Sequence, residues 1–524
     1  AVRVERLVLK IPLHAAVAKY LHANRVDLTR YSPFYFCLRD TFSGLIPEEG
    51  WEAEFYPFIT LSNEDVGLCW FAESDELWHP EDRSRAIRII REGEQVLLEV
   101  HMIDRPTVLE KPTVLTFGLQ ATPVKPLPEN WRNWRVFDLS PGMEAAGSPT
   151  EGQPTAHPDF PRSPTGEDLG IFWTGPVWSE YFGFPSYRTD TDEHTEIWNE
   201  ARRNQIDILP YWNAAWVSSG LPEWERHEFD WTAYSFQDDL SSDVMAFNAP
   251  IRSVCSASDT WNDFIAYAFD QGIKDSLVTG WYQDGFGVSS CVNAAHGCGY
   301  VDDNGQTRPT YPIFARREMF KRLRNIFHSH HPDAPFLGHV SFQIQPPVTG
   351  LADAMLGGEH LGQPPYTLKG SEAPPFDGWY ATRLPPDTFF AEYSGRHLGI
   401  VPFVFTQVHD ADPDSARRKT AHMMGLFLVH DAPGVWSRYG DHQTVFRFQR
   451  ACDDFGLGDA EFVPYWGDAP PASGVPDDVK ISAYTREGKA LLIVANLADR
   501  EATGTLTLDR AALGMKVGPG WSAK

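Results

Sequence analysis

Two carboxylates stand where this chain could carry out acid–base chemistry. Asp284 closes the stretch LVTGWYQDGFG at 277–287. That apolar and aromatic run is too short for a helix and is stopped by glycines, so it reads as a buried strand with Asp284 at its C-terminal end. Glu359 follows paired glycines in DAMLGGEHLG, which let the backbone lie close to something large. Taken singly, Asp284 reads as a turn cap and Glu359 as a surface carboxylate paired with His360. Taken together, at the ends of two strands of one barrel, they suit cleavage of a glycosidic bond. One carboxyl protonates the departing oxygen; the other attacks the anomeric carbon or activates a water. The assignment expected is Asp284 as nucleophile or orienting carboxylate and Glu359 as general acid/base. Strand ends separated by one intervening strand predict a carboxyl gap of about 5–5.5 Å and retention of configuration.

Residues suited to a sugar surround them in the sequence. Trp173, Trp178, Tyr181, Tyr211, Trp212, Trp216 and Trp281 offer faces on which the C–H face of a pyranose could stack. Glu180, Asn213, Gln407, His409, Asp410, Arg438 and Asp441 are candidate hydroxyl partners, with His296 and His360 as further substrate contacts. Most buried tryptophans are core, so the expectation rests on the group rather than on any one ring. The loop after Asp284, CVNAAHGCGYVDDNGQTRPTYP, carries Cys291, His296 and Cys298. These are metal-ligand types, but a usual site needs a second half that the local sequence lacks. Thiols or a local disulfide beside the pocket are expected there, with no metal and no cofactor. No GxSxG, HExxH or P-loop motif occurs.

The elements that must position these residues change character along the chain. Residues 1–125 hold short strand-like segments at 54–61, 67–72, 86–91, 96–103 and 113–120, separated by polar turns, which predicts an antiparallel β-sandwich. A Pro-rich linker at 126–168 follows. Over 169–465 strand and helix patterns alternate. Candidate strands lie at 170–174, 205–212, 252–256, 277–283, 336–341, 352–358, 399–407 and 434–438. Trp261, Phe264, Ile265, Ala268 and Phe269 recur at helical spacing behind Asp259 as N-cap, and Ile313, Phe320, Leu323 and Phe327 line a second helix behind Pro312. Eight alternations predict a (β/α)8 TIM-type barrel, and the absence of GxGxxG weakens an open doubly wound sheet. Residues 466–524 predict a small C-terminal β domain. The fold class is therefore α/β with flanking β domains.

Composition sets the outer limits. The 524 residues, 42% hydrophobic and 22% charged, are those of a globular protein. A formal net charge of −26 argues against nucleic acid and anionic membrane as partners. No run of roughly 18 or more apolar residues predicts a membrane span. Six scattered cysteines form no disulfide framework and, like the start at Ala1, leave the compartment open. A carbohydrate is the partner expected. Two other readings stand beside a glycoside hydrolase: a carbohydrate-binding barrel without catalysis, and a metal-dependent hydrolase or lyase using Cys291, His296 and Cys298.

NEDVGLCWFAESDELW, followed by WYQDG and CVNAAHGCGYVDDNGQTRPTYPIFARREMFKRL, resembles glycoside-hydrolase-like proteins related to glycoside hydrolase family 123. The resemblance implies a β-sandwich, a (β/α)8 barrel and a C-terminal β domain in that order. Family 123 implies β-N-acetylgalactosaminidase activity, with the substrate's acetamido group as nucleophile and an adjacent Asp-Glu pair at one strand end. Here Asp284 is followed by Gly285, so an acid would have to come from elsewhere. Carboxylates on strands four and six are similar to the arrangement in retaining α-glycosidases such as α-galactosidases, a likeness of fold only.

Overall fold

The computed structural model describes residues 1–25, 41–138, 162–164, 168–172, 192–233, 244–246, 249–274, 277–340, 344–362, 377–436 and 439–515. Its centre is a sheet of eight parallel strands that hydrogen-bond in chain order: Arg135–Asp138, Asp168–Phe172, Ile206–Asn213, Trp281–Asp284, Phe336–His339, Ala354–Gly357, Val401–Phe405 and Gly434–Trp436. The first and eighth strands lie side by side, so the sheet is a nearly closed barrel. Helices Asp259–Lys274, Ile313–His330 and Pro413–Val429 fill connections between successive strands.

Strand alternation divides the core in two. Leu169, Ile171, Tyr211, Tyr282, Leu337 and Phe403 point inward and fill the barrel. Their neighbours Trp212, Trp281 and Phe336 point outward, against Phe269, Phe320 and Phe327 of the surrounding helices.

Two barrel strands differ from those expected. Residues 252–256 do not enter the barrel; Ala249–Ser253 pairs antiparallel with Trp216–Ser218 and Val244–Ala246 in a three-stranded sheet. Composition reports that a strand is buried, not the direction of its neighbour. The first barrel strand, Arg135–Asp138, lies inside the stretch read as linker, being only four residues long among prolines and tryptophans. One strand lost and one gained leave Asp284 on the fourth strand and Glu359 just past the sixth. The helix cap also moves by one: Ser258 Oγ, not Asp259, accepts the Trp261 amide at 3.2 Å.

Before the barrel stand two antiparallel sheets. One has five strands, including Tyr20–Asn24, Phe42–Leu45, Phe58–Ser62 and Gly67–Phe71; the other has four, including Ile87–Glu92 and Gln95–Ile103. Their inner faces share one hydrophobic cluster, which continues through Phe55 and Phe71 to Tyr311 and Phe314 at the barrel's edge. After the barrel, Glu461–Val463, Val479–Arg486 and Lys489–Asn496 form a small antiparallel sheet. No described helix is long and apolar enough to cross a membrane.

Candidate active site

Asp284 and Glu359 meet the same side chain. His339, the last residue of the fifth strand, lies between strands four and six and is 8% exposed. Its Nδ1 is 3.3 Å from Asp284 Oδ1 and its Nε2 is 3.3 Å from Glu359 Oε2. Two such contacts joined through one imidazole put those carboxyl oxygens no more than about 9 Å apart. The barrel register explains the meeting, since Asp284, His339 and Glu359 close neighbouring C-terminal strand ends.

Asp284 is held as an anion. Burial alone would raise its carboxyl, but the His339 hydrogen bond and charge, the Tyr211 hydroxyl and the Gly285 amide outweigh it and bring it below the usual aspartate value. Tyr211 Oη donates to Asp284 Oδ2 at 2.7 Å, and the Gly285 amide to Oδ1 at 2.7 Å. Burial and the neighbouring Asp284 charge raise the Tyr211 hydroxyl well above its ordinary value, so it remains a donor. For His339 burial pulls downward, while the Asp284 bond and the charges of Asp284 and Glu359 prevail and raise the imidazole. Tyr282 Oη lies 2.8 Å from His339 Nδ1 and fixes the ring from inside the barrel.

Two glycines shape the site. Gly285 has φ +59°, and a Cβ there would stand 2.9 Å from Asn213 Oδ1 and 3.0 Å from Ala215 Cβ. A side chain after Asp284 would be strained by this backbone and would crowd both neighbours. Gly358, at φ +101°, turns the chain from the sixth strand into the short helix Glu359–Gly362.

The other expected contacts divide. Asn213 serves Tyr211: its Nδ2 donates to Tyr211 Oη at 3.3 Å, while its Oδ1 accepts the Ala215 and Trp216 amides. Past the seventh strand, His409 Nε2 and Gln407 Oε1 are 2.9 Å apart, and Tyr439 lies over His409 with centroids 4.0 Å apart. Phe405 connects this pair to His339 by ring contacts on both sides, at 6.4 Å to His339 and 6.1 Å to Tyr439. Trp212 and Trp281 are not sugar platforms. Each neighbours an inward residue on its strand, and alternation sends both rings into the helix-facing core, with Trp281 stacked 3.9 Å from Phe336. Trp216 is buried as well. Asp410 pairs with Lys419 at 2.7 Å, and Asp441 caps the helix His442–Phe455. Trp173, Trp178, Glu180, Tyr181 and Arg438 lie outside the described residues, as does the side chain of His360.

His296 lies elsewhere, with Cys291 and Cys298. The fold adds Cys255, 43 residues before Cys298, and one possible ligand atom from each of the four lies within 4.8 Å of the others. The reading without a metal counted only ligands close in sequence.

His339 was missed. The signal was there: a histidine near the end of a predicted barrel strand, directly between the strands bearing the two carboxylates.

Residues 445–519 match the family model described as glycoside hydrolase 123, C-terminal domain. No curated protein matches the sequence. Among solved structures, a GH36 α-galactosidase from Geobacillus stearothermophilus in complex with stachyose is similar at 9% identity and TM-score 0.46, over 92% of this chain and 67% of that one. An α-galactosidase from Thermus thermophilus is similar at 10% identity and TM-score 0.44, over 93% and 94%. A maltogenic α-amylase from Thermotoga neapolitana is similar at 10% identity and TM-score 0.40, over 70% and 86%. Over its C-terminal residues 445–519, then, this chain is similar to the C-terminal domain of glycoside hydrolase family 123.

Proposed function

We propose that the protein is a glycosidase that cleaves a glycosidic bond of an oligo- or polysaccharide with Asp284 and Glu359, retaining anomeric configuration. The observation that supports pairing these two acids is the contact of both carboxylates with one imidazole, 3.3 Å on either side, at the C-terminal end of the barrel; retention rests on the spacing expected of strands four and six. A binding protein has no need to gather two acids around one titratable ring. Asp284, held as an anion, is the nucleophile. Glu359, with its side chain 44% exposed, is the general acid that protonates the leaving oxygen and then the base that activates water. Gln407 and His409 are the polar contacts proposed for the sugar, with Tyr439 beside them.

Asp284→Asn and Glu359→Gln should each lower kcat on a responsive aryl glycoside by roughly 10²–10⁴-fold with the fold unchanged by circular dichroism. A fluorinated glycoside should leave a covalent adduct on Asp284 by mass spectrometry. Wild-type turnover in both variants would remove the assignment. An inverted first product in an NMR time course would keep the pair but replace direct attack with activation of a water.

A further inference from the structure

We infer that Cys255, Cys291, His296 and Cys298 form a structural zinc site, separate from the carboxylate pair. The four ligand atoms lie within 4.8 Å of one another, and Cys255 Sγ and Cys298 Sγ are 3.9 Å apart. That distance is far too long for a disulfide. It matches the edge, about 3.8 Å, of a tetrahedron with 2.3 Å zinc–sulfur bonds. Three thiolates and an imidazole form a soft, four-coordinate set that selects zinc over magnesium or calcium.

The surroundings fit metal-bound thiolates. The Ala257 amide donates to Cys255 Sγ and the Asn293 amide to Cys291 Sγ, each at 3.4 Å, a role in which a thiolate is the far better acceptor. Both ring nitrogens of His296 are buried without a hydrogen-bond partner, which a ligand bond from one of them would relieve. Asn293 anchors the loop, accepting the Ala295 amide and donating to the carbonyls of Phe229 and Thr232.

A second observation points the same way. Arg316 is 3% exposed, its guanidinium donates to the carbonyls of Ala214 and Gly285, and no carboxylate pairs with it among the described residues. It lines one small cavity together with Cys255. Zinc with three thiolates and a neutral imidazole carries one net negative charge and supplies the counter-charge this guanidinium lacks. Because Arg316 also grips the carbonyl next to Asp284, the metal braces the loop that carries the proposed nucleophile. All four positions are filled by protein, so the ion's role is structural, and binding releases the thiol protons to solvent.

Elemental analysis of protein purified under reducing conditions, without chelator, should find about one zinc per chain. A mercurial reagent should release it to a colorimetric chelator as the thiols react. Cys298→Ser and His296→Ala should each weaken zinc retention at least about tenfold in a chelator competition, while Asp284→Asn keeps its full zinc. If the cysteine variant does not fold, cobalt exchanged into the wild type gives the answer: thiolate charge-transfer and tetrahedral d–d bands support the site. An octahedral cobalt spectrum, folded metal-free protein, or undiminished zinc in both variants would overturn it.

Discussion

A carboxylate proposed as a nucleophile has to stay ionised while protein covers it, and His339 supplies much of what keeps Asp284 so. His339→Asn removes the imidazole's charge and its hydrogen bond, so the Asp284 carboxyl should rise toward its ordinary value of 3.8 or beyond. The acid limb of the kcat/KM profile should then move to higher pH. A purely structural histidine would change the amplitude of the profile and leave that limb in place. The sign for stability follows too. The contribution of Asp284 is present above its unfolded pKa and fades as pH falls through the lowered folded value. That of His339 is complete below 6.5 and fades as pH rises through its raised value. Trp281 tests the opposite assignment: as a core ring, Trp281→Ala should cost about 3–5 kcal/mol of stability in denaturant unfolding. A platform ring would instead raise KM with stability unchanged. The placement of Asp284 and Glu359 at strand ends was legible in the sequence because a carboxylate that ends an apolar run is conspicuous. The rings at 212 and 281 were misplaced because aromatic content says nothing of which face a side chain takes, whereas strand period does.

At the scale of elements, strand existence was more legible than strand partnership. The apolar runs of the third to eighth barrel strands stood out, but RVFD at 135–138 is too short to register without its parallel neighbour Asp168–Phe172. Partnership also governs the helix Pro386–Glu392, which docks against the strands Tyr20–Asn24 and Phe42–Leu45. There Glu392 Oε1 lies 3.7 Å from His22 Nδ1 with both side chains buried. Burial raises the Glu392 carboxyl to about 7 and lowers the His22 imidazole to about 4, so at mildly acid pH both are neutral. A carboxyl raised in the folded state stabilises fully below its unfolded value of 4.5, and that contribution is lost as pH rises through about 7. The lowered His22 imidazole acts with the opposite sign between about 4 and 6.5 and offsets this loss in the wild type, so Glu392→Gln should make Tm rise more steeply with pH than it does in the wild type. Parallel curves for the two proteins would assign the dependence to other groups.

Across the whole molecule, a net charge of −26 leaves self-repulsion that the packed interior has to offset. That interior is shared: one hydrophobic cluster runs from the two N-terminal sheets into the helix layer of the barrel. Polar contacts cross the same seam, with Gln345 Nε2 donating to Asn24 Oδ1 at 2.9 Å and the Phe314 amide to Glu73 Oε1 at 2.8 Å. Bodies that share a core cannot melt independently, because either one alone exposes the apolar face the other covered. Scanning calorimetry should accordingly give one heat-absorption peak spanning sheets and barrel, with matching calorimetric and van't Hoff enthalpies. Two resolved peaks would show that the seam contributes little. For anyone engineering the chain, the consequence is practical. The N-terminal sheets are no removable appendage, and a fragment cut between them and the barrel should aggregate on expression rather than yield a smaller working protein.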